Sequence, residues 1–490
     1  MNLKKTVAIA AAAGALAAVS VPAMAFDNEF HGMYRSFGYL TNALSGAGGF
    51  GLGTENAAGK KTASDSADKY FEQRARIQYI AKASDDLKLV THFELDTKFG
   101  GSQSSGKYVP GAFTTTATTN PSANGDGGGL DTDKVSLETK NVYLDFNCPL
   151  TGTNVKIGAQ PYSDSMFGLF GNFDAAGVVL SKKFNALSAS YGYFTVGSSS
   201  TNGIGYDATG KGSNNYTQDF NTFDVKYALS KDLTLGASYY LLLDKVGTST
   251  TGTGSNHTLG LNGAGKFGPL SFTAALGYQT GKSNTQTQTT SALSTTGGYT
   301  SLTTDATSAY AVALATKTAV GPGNLLLSGL YLTGDENGTG KNKSWQPIGN
   351  GVTYFMPSNM WLLVRNGATI NSSTAVGGSS DITRGGRGIT GLFAGYEGTA
   401  DKLFYNGNIG WAQVAKARVS ATTTAASKDL GYEFNATVGY KLYSNLTASA
   451  TAAYLVLGDA YGKSTGLILP GGIHDASNPY LTNIQLNYTF

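Results

Sequence analysis

The sequence lacks, outside its first 25 residues, any apolar run long enough to form a membrane-spanning helix. Such a helix needs about 20 consecutive apolar residues, and the mean hydropathy of the chain is only -0.14. The single cysteine, Cys148, excludes an internal disulfide and haem attachment through a Cys-x-x-Cys-His motif. The four histidines are scattered without metal-ligand spacing. The sequence therefore predicts no metal site and no cofactor.

The net charge of the chain is small. The first 25 residues carry Lys4 and Lys5, an apolar stretch over residues 7–19 and a small-x-small site ending at Ala25. These features predict a cleaved secretory signal peptide over residues 1–25, with residues 26–490 as the mature chain. Without Lys4 and Lys5 the formal net charge falls from +3 to +1. This balance gives no support to nucleic-acid binding.

Residues 480–490 show the pattern that dominates the rest of the chain, which is polar and apolar side chains in alternation. Ile484, Leu486, Tyr488 and Phe490 fall on one face of an extended strand, and amide side chains fall on the other. This ending resembles the final strand of Gram-negative outer-membrane β-barrels. The resemblance implies that Tyr488 and Phe490 form an assembly signal recognised by the barrel-assembly machinery.

About 18 such segments follow one another, with 16 as the alternative count. Their connections alternate between short and long, which is typical of short periplasmic turns and long extracellular loops. We therefore predict an all-β, transmembrane, antiparallel up-and-down barrel over residues 26–490. The apolar run at residues 352–364 could supply a further strand.

The two faces of the predicted strands differ in polarity. One face carries Leu, Val, Ile, Ala, Phe and Tyr, and the other carries charged, amide and hydroxyl side chains. We expect the apolar face to contact lipid and the polar face to line an aqueous lumen rather than a packed centre. This pattern indicates the outer membrane, reached through the periplasm.

The hairpin over residues 70–96 places many charges on its inward face. The charges either form a transverse field across the pore or pair locally on a wet wall, and the sequence leaves both interpretations open. The pore-lining candidates are Arg35, Glu72, Arg74, Arg76, Lys88, His92, Glu94 and Asp96.

Two stretches carry a closer resemblance. The stretch YFEQRARIQYIAKASDDLKLVTHFELD is similar to the second and third strands of Gram-negative porins, and VKIGAQPY followed by FDAAGVVLS is similar to the strands around their constriction loop. The chain thus resembles the general diffusion porins, of the kind found in metal-reducing bacteria. The resemblance implies a constriction loop at residues 161–174, with Asp164 and Asp174. The longer basic connection over residues 334–387, with Arg365, Arg384 and Arg387, is an equal candidate.

The sequence predicts a channel for passive diffusion of ions and small hydrophilic solutes, and no enzyme, since no Ser-His-acid set is evident. A substrate-selective channel and a structural or adhesive surface barrel are the alternatives. Expected partners are outer-membrane lipid and lipopolysaccharide, the barrel-assembly machinery and the solutes themselves. Homotrimer and monomer both remain open.

Overall fold

The computed structural model describes the barrel and parts of its long loops. It covers residues 27–42, 68–99, 137–198, 217–245, 254–287, 301–335, 341–348, 355–364, 386–417, 427–461 and 478–490. The predicted signal peptide lies outside the described residues. Among the residues covered, no helix is long and apolar enough to cross a membrane.

The described residues form eighteen strands. They are β1 (Asp27–Thr41), β2 (Asp68–Ser84), β3 (Leu87–Lys98), β4 (Glu138–Asn147), β5 (Asn154–Ser163), β6 (Asn172–Phe184), β7 (Leu187–Ser198), β8 (Thr217–Ser230), β9 (Leu233–Lys245), β10 (Gly254–Phe267), β11 (Leu270–Thr287), β12 (Ser301–Val320), β13 (Gly323–Leu332), β14 (Ile389–Ala400), β15 (Leu403–Val414), β16 (Asp429–Tyr443), β17 (Leu446–Leu457) and β18 (Tyr480–Thr489). The predicted count of 18 is confirmed, and the alternative of 16 is not.

The eighteen strands close into one antiparallel barrel. Each strand pairs with its neighbours in sequence, and β1 pairs with both β2 and β18. At the seam Arg35 lies opposite Asn487, and the amide of Phe490 donates to the carbonyl of Gly32 at 3.1 Å. Closure leaves no sheet edge for lipid to meet, as a barrel in a bilayer requires.

The last strand confirms the predicted alternation of faces. Leu481 and Asn483 are buried inside the barrel, whereas Ile484 is 59% exposed on its outer surface. Two-residue turns join most hairpins at one end of the barrel, including the turn between β2 and β3. The long connections lie at the other end, as the sequence predicted.

The apolar run at residues 352–364 does not add a strand. Its described part, residues 355–364, contains a short 3-10 helix at Met356–Ser358 and otherwise irregular backbone. Ser358 and the residues from Met360 to Val364 are buried. The run is apolar because it packs inside the barrel, not because it faces lipid.

The expectation of a uniformly polar inner face is wrong at the long-loop end. Phe194, Phe220, Tyr240, Leu332 and Leu455 point inward there and are almost fully buried. They pack in one apolar cluster with side chains from connections that fold into the barrel. These connections carry their own apolar side chains, which must be shielded from water, so the wall that receives them is apolar as well.

Candidate functional site

Three segments of two connections lie within the barrel. The first lumen segment is residues 164–171, between β5 and β6. The second (residues 341–348) and the third (residues 355–364) belong to the connection between β13 and β14. All three contribute buried apolar side chains to the cluster described above. They are therefore the structural candidates for a constriction.

Asp164 organises the first lumen segment. Its Oδ1 accepts hydrogen bonds from the amides of Met166 and Gly168 at 2.6 and 2.9 Å, and its Oδ2 accepts from Phe170 and Gly171 at 2.6 and 2.7 Å. Burial raises the pKa of the Asp164 carboxyl, and these four hydrogen bonds oppose the rise. The carboxylate holds the turn of its own loop together.

Asp164, a candidate of the predicted constriction loop, does not present a free charge to the pore. The residue is only 8% exposed, and its oxygens are occupied by backbone amides. Asp174, the other acidic candidate of this loop, lies in β6 and contacts Lys140 Nζ at 2.8 Å and Asn141 Nδ2 at 2.8 Å. Neither carboxylate is directed at an open lumen as a free charge.

The two predicted constriction loops meet inside the barrel. Trp345 Nε1 donates to the carbonyl of Leu169 at 2.8 Å, and the amide of Ile348 donates to the carbonyl of Phe170 at 2.8 Å. The rings of Phe167 and Phe355 contact edge to face, with centroids 5.9 Å apart. The sequence left open which loop narrows the lumen, and in the structure the described parts of both loops contact each other.

Inward-facing glycines of the wall make room for the lumen segments. A Cβ atom on Gly260 would lie 2.7 Å from Met166 Sδ, and one on Gly277 would lie 2.5 Å from the Trp345 ring. A Cβ atom on Gly410 would lie 2.5 Å from Met360 Sδ. Real Cβ atoms do not approach other atoms so closely, so a larger residue at any of these positions would force the facing side chain to shift.

A buried glutamate in the wall binds the third lumen segment. Glu433 on β16 is fully buried and faces inward. Its carboxylate accepts hydrogen bonds from the amides of Trp361, Leu362 and Leu363 at 2.7–2.9 Å, and from Asn435 Nδ2 at 2.9 Å. Sequence reasoning missed Glu433, whose sole signal is an acid between the outward residues Tyr432 and Phe434.

The basic candidates of the long connection are not brought together in the described residues. Arg365 and Arg384 lie outside them. Arg387 lies just before β14 and is 8% exposed, and its carbonyl accepts the amide of Lys416 at 3.0 Å. The basic constriction expected from these three residues therefore stays a prediction.

The charged candidates on β1, β2 and β3 form rows across the inner wall. Arg74 makes two hydrogen bonds to the Asp96 carboxylate, at 2.6 and 2.5 Å, and Arg76 pairs with Glu94. Arg35 lies beside Arg74 in the register, and its Nε donates to Asn487 Oδ1 at 2.8 Å. The structure brings these residues together and pairs most of their charges locally.

The remaining pore-lining candidates extend the charged wall to β4 and β5. Lys88 Nζ lies 3.5 Å from Asp145, and His92 Nδ1 lies 3.2 Å from Asn141 Oδ1. Glu72 is 7% exposed and faces inward opposite Phe37. Both signs of charge therefore occur along this wall, although Arg35 lies opposite Arg74 on the adjacent strand, and several of the charges keep partial access to solvent.

A polar cavity of about 630 Å³ opens below the first lumen segment, along β5 to β8. Lys183, Ser188 and Lys226 line it as one row, since each lies opposite the next in the strand register. Among the described residues, neither lysine lies within ion-pair distance of a carboxylate. Nothing in the sequence patterns singled out this row, because its members come from three strands.

A family model described as alginate export matches residues 52–321, which is more than half of the chain. The chain belongs to the alginate export family. Members of this family and the closed barrel described above indicate an outer-membrane porin, so the chain is a channel protein of the Gram-negative outer membrane. No curated protein matches the sequence.

Solved structures share the fold of this alginate export family member. The outer-membrane protein OpdK of Pseudomonas aeruginosa aligns with a TM-score of 0.51 and 11% identity, covering 95% of this chain and 98% of that one. OccK2 (OpdF) of Pseudomonas aeruginosa aligns with a TM-score of 0.51 and 12% identity over the same shares. At such identity the likeness establishes the shared architecture alone.

Proposed function

We propose that this porin conducts ions and small hydrophilic solutes passively, along the charged wall of β1 to β5. One observation carries the proposal. The hydrogen bonds from the lumen segments to the wall reach β8, β9, β11, β12, β13 and β16, on the other side of the barrel. We therefore expect the charged rows to face the space that the segments leave. The proposal contains no chemical step.

Local pairing of the wall charges makes the expected ion preference weak. Arg74 with Asp96 and Arg76 with Glu94 present both signs to a passing ion. A wall of paired charges suits polar solutes of either sign, because each can exchange water for a hydrogen bond. Removing one charge of such a pair would leave the other uncompensated and would strengthen the electric field in the lumen at that point.

Single-channel recording in planar bilayers tests this proposal. We expect stable conductance with a small reversal potential in a salt gradient. Asp96→Asn removes the nearer of the two carboxylates that pair with Arg74, leaving Glu94 at 3.4 Å, and is expected to shift the reversal potential toward anion preference. Asp219→Asn, at an outward position that bonds Tyr193, is the matched control. Correctly folded protein without any conductance would refute the channel and favour a plugged, structural barrel.

A second candidate is selectivity for anionic solutes, favoured by the row of Lys183, Ser188 and Lys226. The family description names alginate export, and alginate is a polymer of carboxylate-bearing sugars. Lys183→Gln with Lys226→Gln should abolish current block by galacturonate while block by neutral galactose stays unchanged. Lys266→Gln, at the end of β10 outside the cavity, controls for the loss of a lysine charge elsewhere in the chain. Equal block in all variants would exclude this candidate.

We also propose that Tyr488 and Phe490 serve as the signal for the barrel-assembly machinery. Their rings stack with centroids 5.6 Å apart on the outer surface, where another protein can contact them. Deleting Phe490 is expected to lower the amount of inserted protein more than the conductance of each inserted channel. Normal membrane levels of the shortened chain would contradict the proposal.

A further inference from the structure

The third lumen segment meets the barrel wall through few polar contacts, and most of them involve β16. Besides the three amides bonded to Glu433, the carbonyl of Asn359 accepts Asn435 Nδ2 at 3.0 Å. The carbonyl of Pro357 accepts the hydroxyl of Ser328 on β13 at 2.7 Å. Glu433 thus supplies the largest single group of hydrogen bonds that we observe between this segment and the wall.

The Glu433 contact joins parts of the chain that are far apart in sequence. The glutamate lies 70–72 residues after the amides that it accepts. Successive amides that converge on one anion form a nest, which stabilises negative charge by the aligned N–H dipoles. Such charge-assisted hydrogen bonds are about twice as strong as neutral ones. The contact therefore fixes the segment's position against the wall rather than its internal fold.

Uncharged side chains cannot replace this carboxylate. A glutamine at position 433 has one acceptor oxygen, and its NH2 group would face amides that are also donors. The segment would have to move for its buried N–H groups to find water. Another contact that it makes with the wall at this point is non-covalent packing, where Met360 fills the gap at Gly410.

We infer that Glu433 is a positioning residue that sets the width of the channel by holding the third lumen segment against β16. The inference rests on the proposed function, because the width of a lumen affects current only if ions pass through it. With the carboxylate in place the segment stays on the wall and the conducting space is constant. Without it the segment leaves the wall, and conductance changes in size and becomes variable.

The test compares Glu433→Gln with Glu397→Gln in the full chain. Glu397 is another inward glutamate, on β14, and pairs with Lys317 at 2.5 Å near the short-turn end of the barrel. We expect Glu433→Gln to change single-channel conductance and broaden its distribution, while Glu397→Gln keeps the wild-type distribution. On electrophoresis, both variants should keep the heat-modifiable migration that is typical of a folded barrel.

Tryptophan quenching supplies a readout that does not depend on current. Trp361 is 7% exposed, and a Trp345→Phe, Trp411→Phe background leaves it as the sole tryptophan. Glu433→Gln in that background should increase the quenching of Trp361 by acrylamide. Wild-type conductance together with wild-type quenching would overturn the inference and leave the proposed function intact.

The remaining outcomes are also decisive. Absence of current from the wild-type chain would refute the proposed function and, with it, the role of Glu433 in channel width. A Glu433→Gln chain that cannot form the heat-modifiable barrel would overturn the inference, because the carboxylate would then support the barrel itself. Unchanged current with increased quenching would place the segment outside the conducting path and would likewise overturn it.

Discussion

The first and third lumen segments are each held by a buried carboxylate, but the two carboxylates belong to different parts of the chain. Asp164 is the first residue of its own segment and accepts amides two to seven residues later. Glu433 belongs to the wall and accepts amides about 70 residues earlier. The first segment therefore carries the means of its own fold, whereas the third depends on a barrel that is already closed.

This difference indicates separate roles for the two segments. A loop that stabilises its own fold can support a neighbouring segment, and the second lumen segment packs on it through Trp345 and Ile348. A segment that is bound to the wall mainly at one site can move when that site is lost. Variants that affect one carboxylate or one packing contact at a time can break or sharpen the comparison.

The largest effect is expected from Asp164→Ala. Four buried amides lose their acceptor, and each buried unsatisfied donor costs about 1–3 kcal/mol. We expect the thermal midpoint of unfolding, measured by circular dichroism, to fall strongly. We also expect Trp345 to become more exposed to solvent. Asp174→Ala, which removes a partly exposed pair with Lys140, should cost far less. Equal midpoints for the two variants would show that Asp164 does not organise the loop.

A smaller effect is expected from Gly277→Val. Its side chain would overlap the Trp345 ring, which is rigid, so the second lumen segment must shift while the Asp164 turn persists. We expect a red-shifted Trp345 emission and a changed conductance. Gly407→Val is the control, because a Cβ atom there would meet no atom within 4 Å. Unchanged emission from Trp345 would contradict the packing described here.

The smallest effects are expected from the matched pair Gly260→Ala and Gly410→Ala. Each added methyl meets a methionine sulfur, of Met166 or Met360, and methionine adapts readily. Gly410→Ala should nevertheless increase Trp361 quenching more than Gly260→Ala, because the third segment has no internal carboxylate to resist displacement. The reverse order would remove the distinction between the two segments.

The inward face of the charged wall could be predicted from the sequence, because period-two alternation gives Arg74, Arg76, Glu94 and Asp96 the same face. Their exact partners could not, because a bulge between Lys82 and Ser84 shifts the register by one residue before it sets Arg74 opposite Asp96. Side chains within one hairpin can thus be assigned to a face from the sequence, but not to a partner. The same holds for the alternation in β18.

The interior packing could not be predicted in this way. Phe194 and Leu332 lie on inward faces, yet alternation alone cannot distinguish an inward apolar residue from a shift of register. The partner of Glu433 is a backbone segment from a distant loop, and backbone amides leave no mark in the sequence. Contacts between connections and wall depend on the three-dimensional closure that the strands achieve first.

The seam of the barrel bears on how many strands it contains. Arg35 and Asn487 are 452 residues apart and yet bonded. The entropy lost on joining chain ends grows only with the logarithm of their separation, so one hairpin more or less alters it by about 0.1 kcal/mol. The chain entropy lost on closure therefore depends very little on the circumference of the barrel. A ring of eighteen strands, in turn, is wide enough to enclose the three lumen segments.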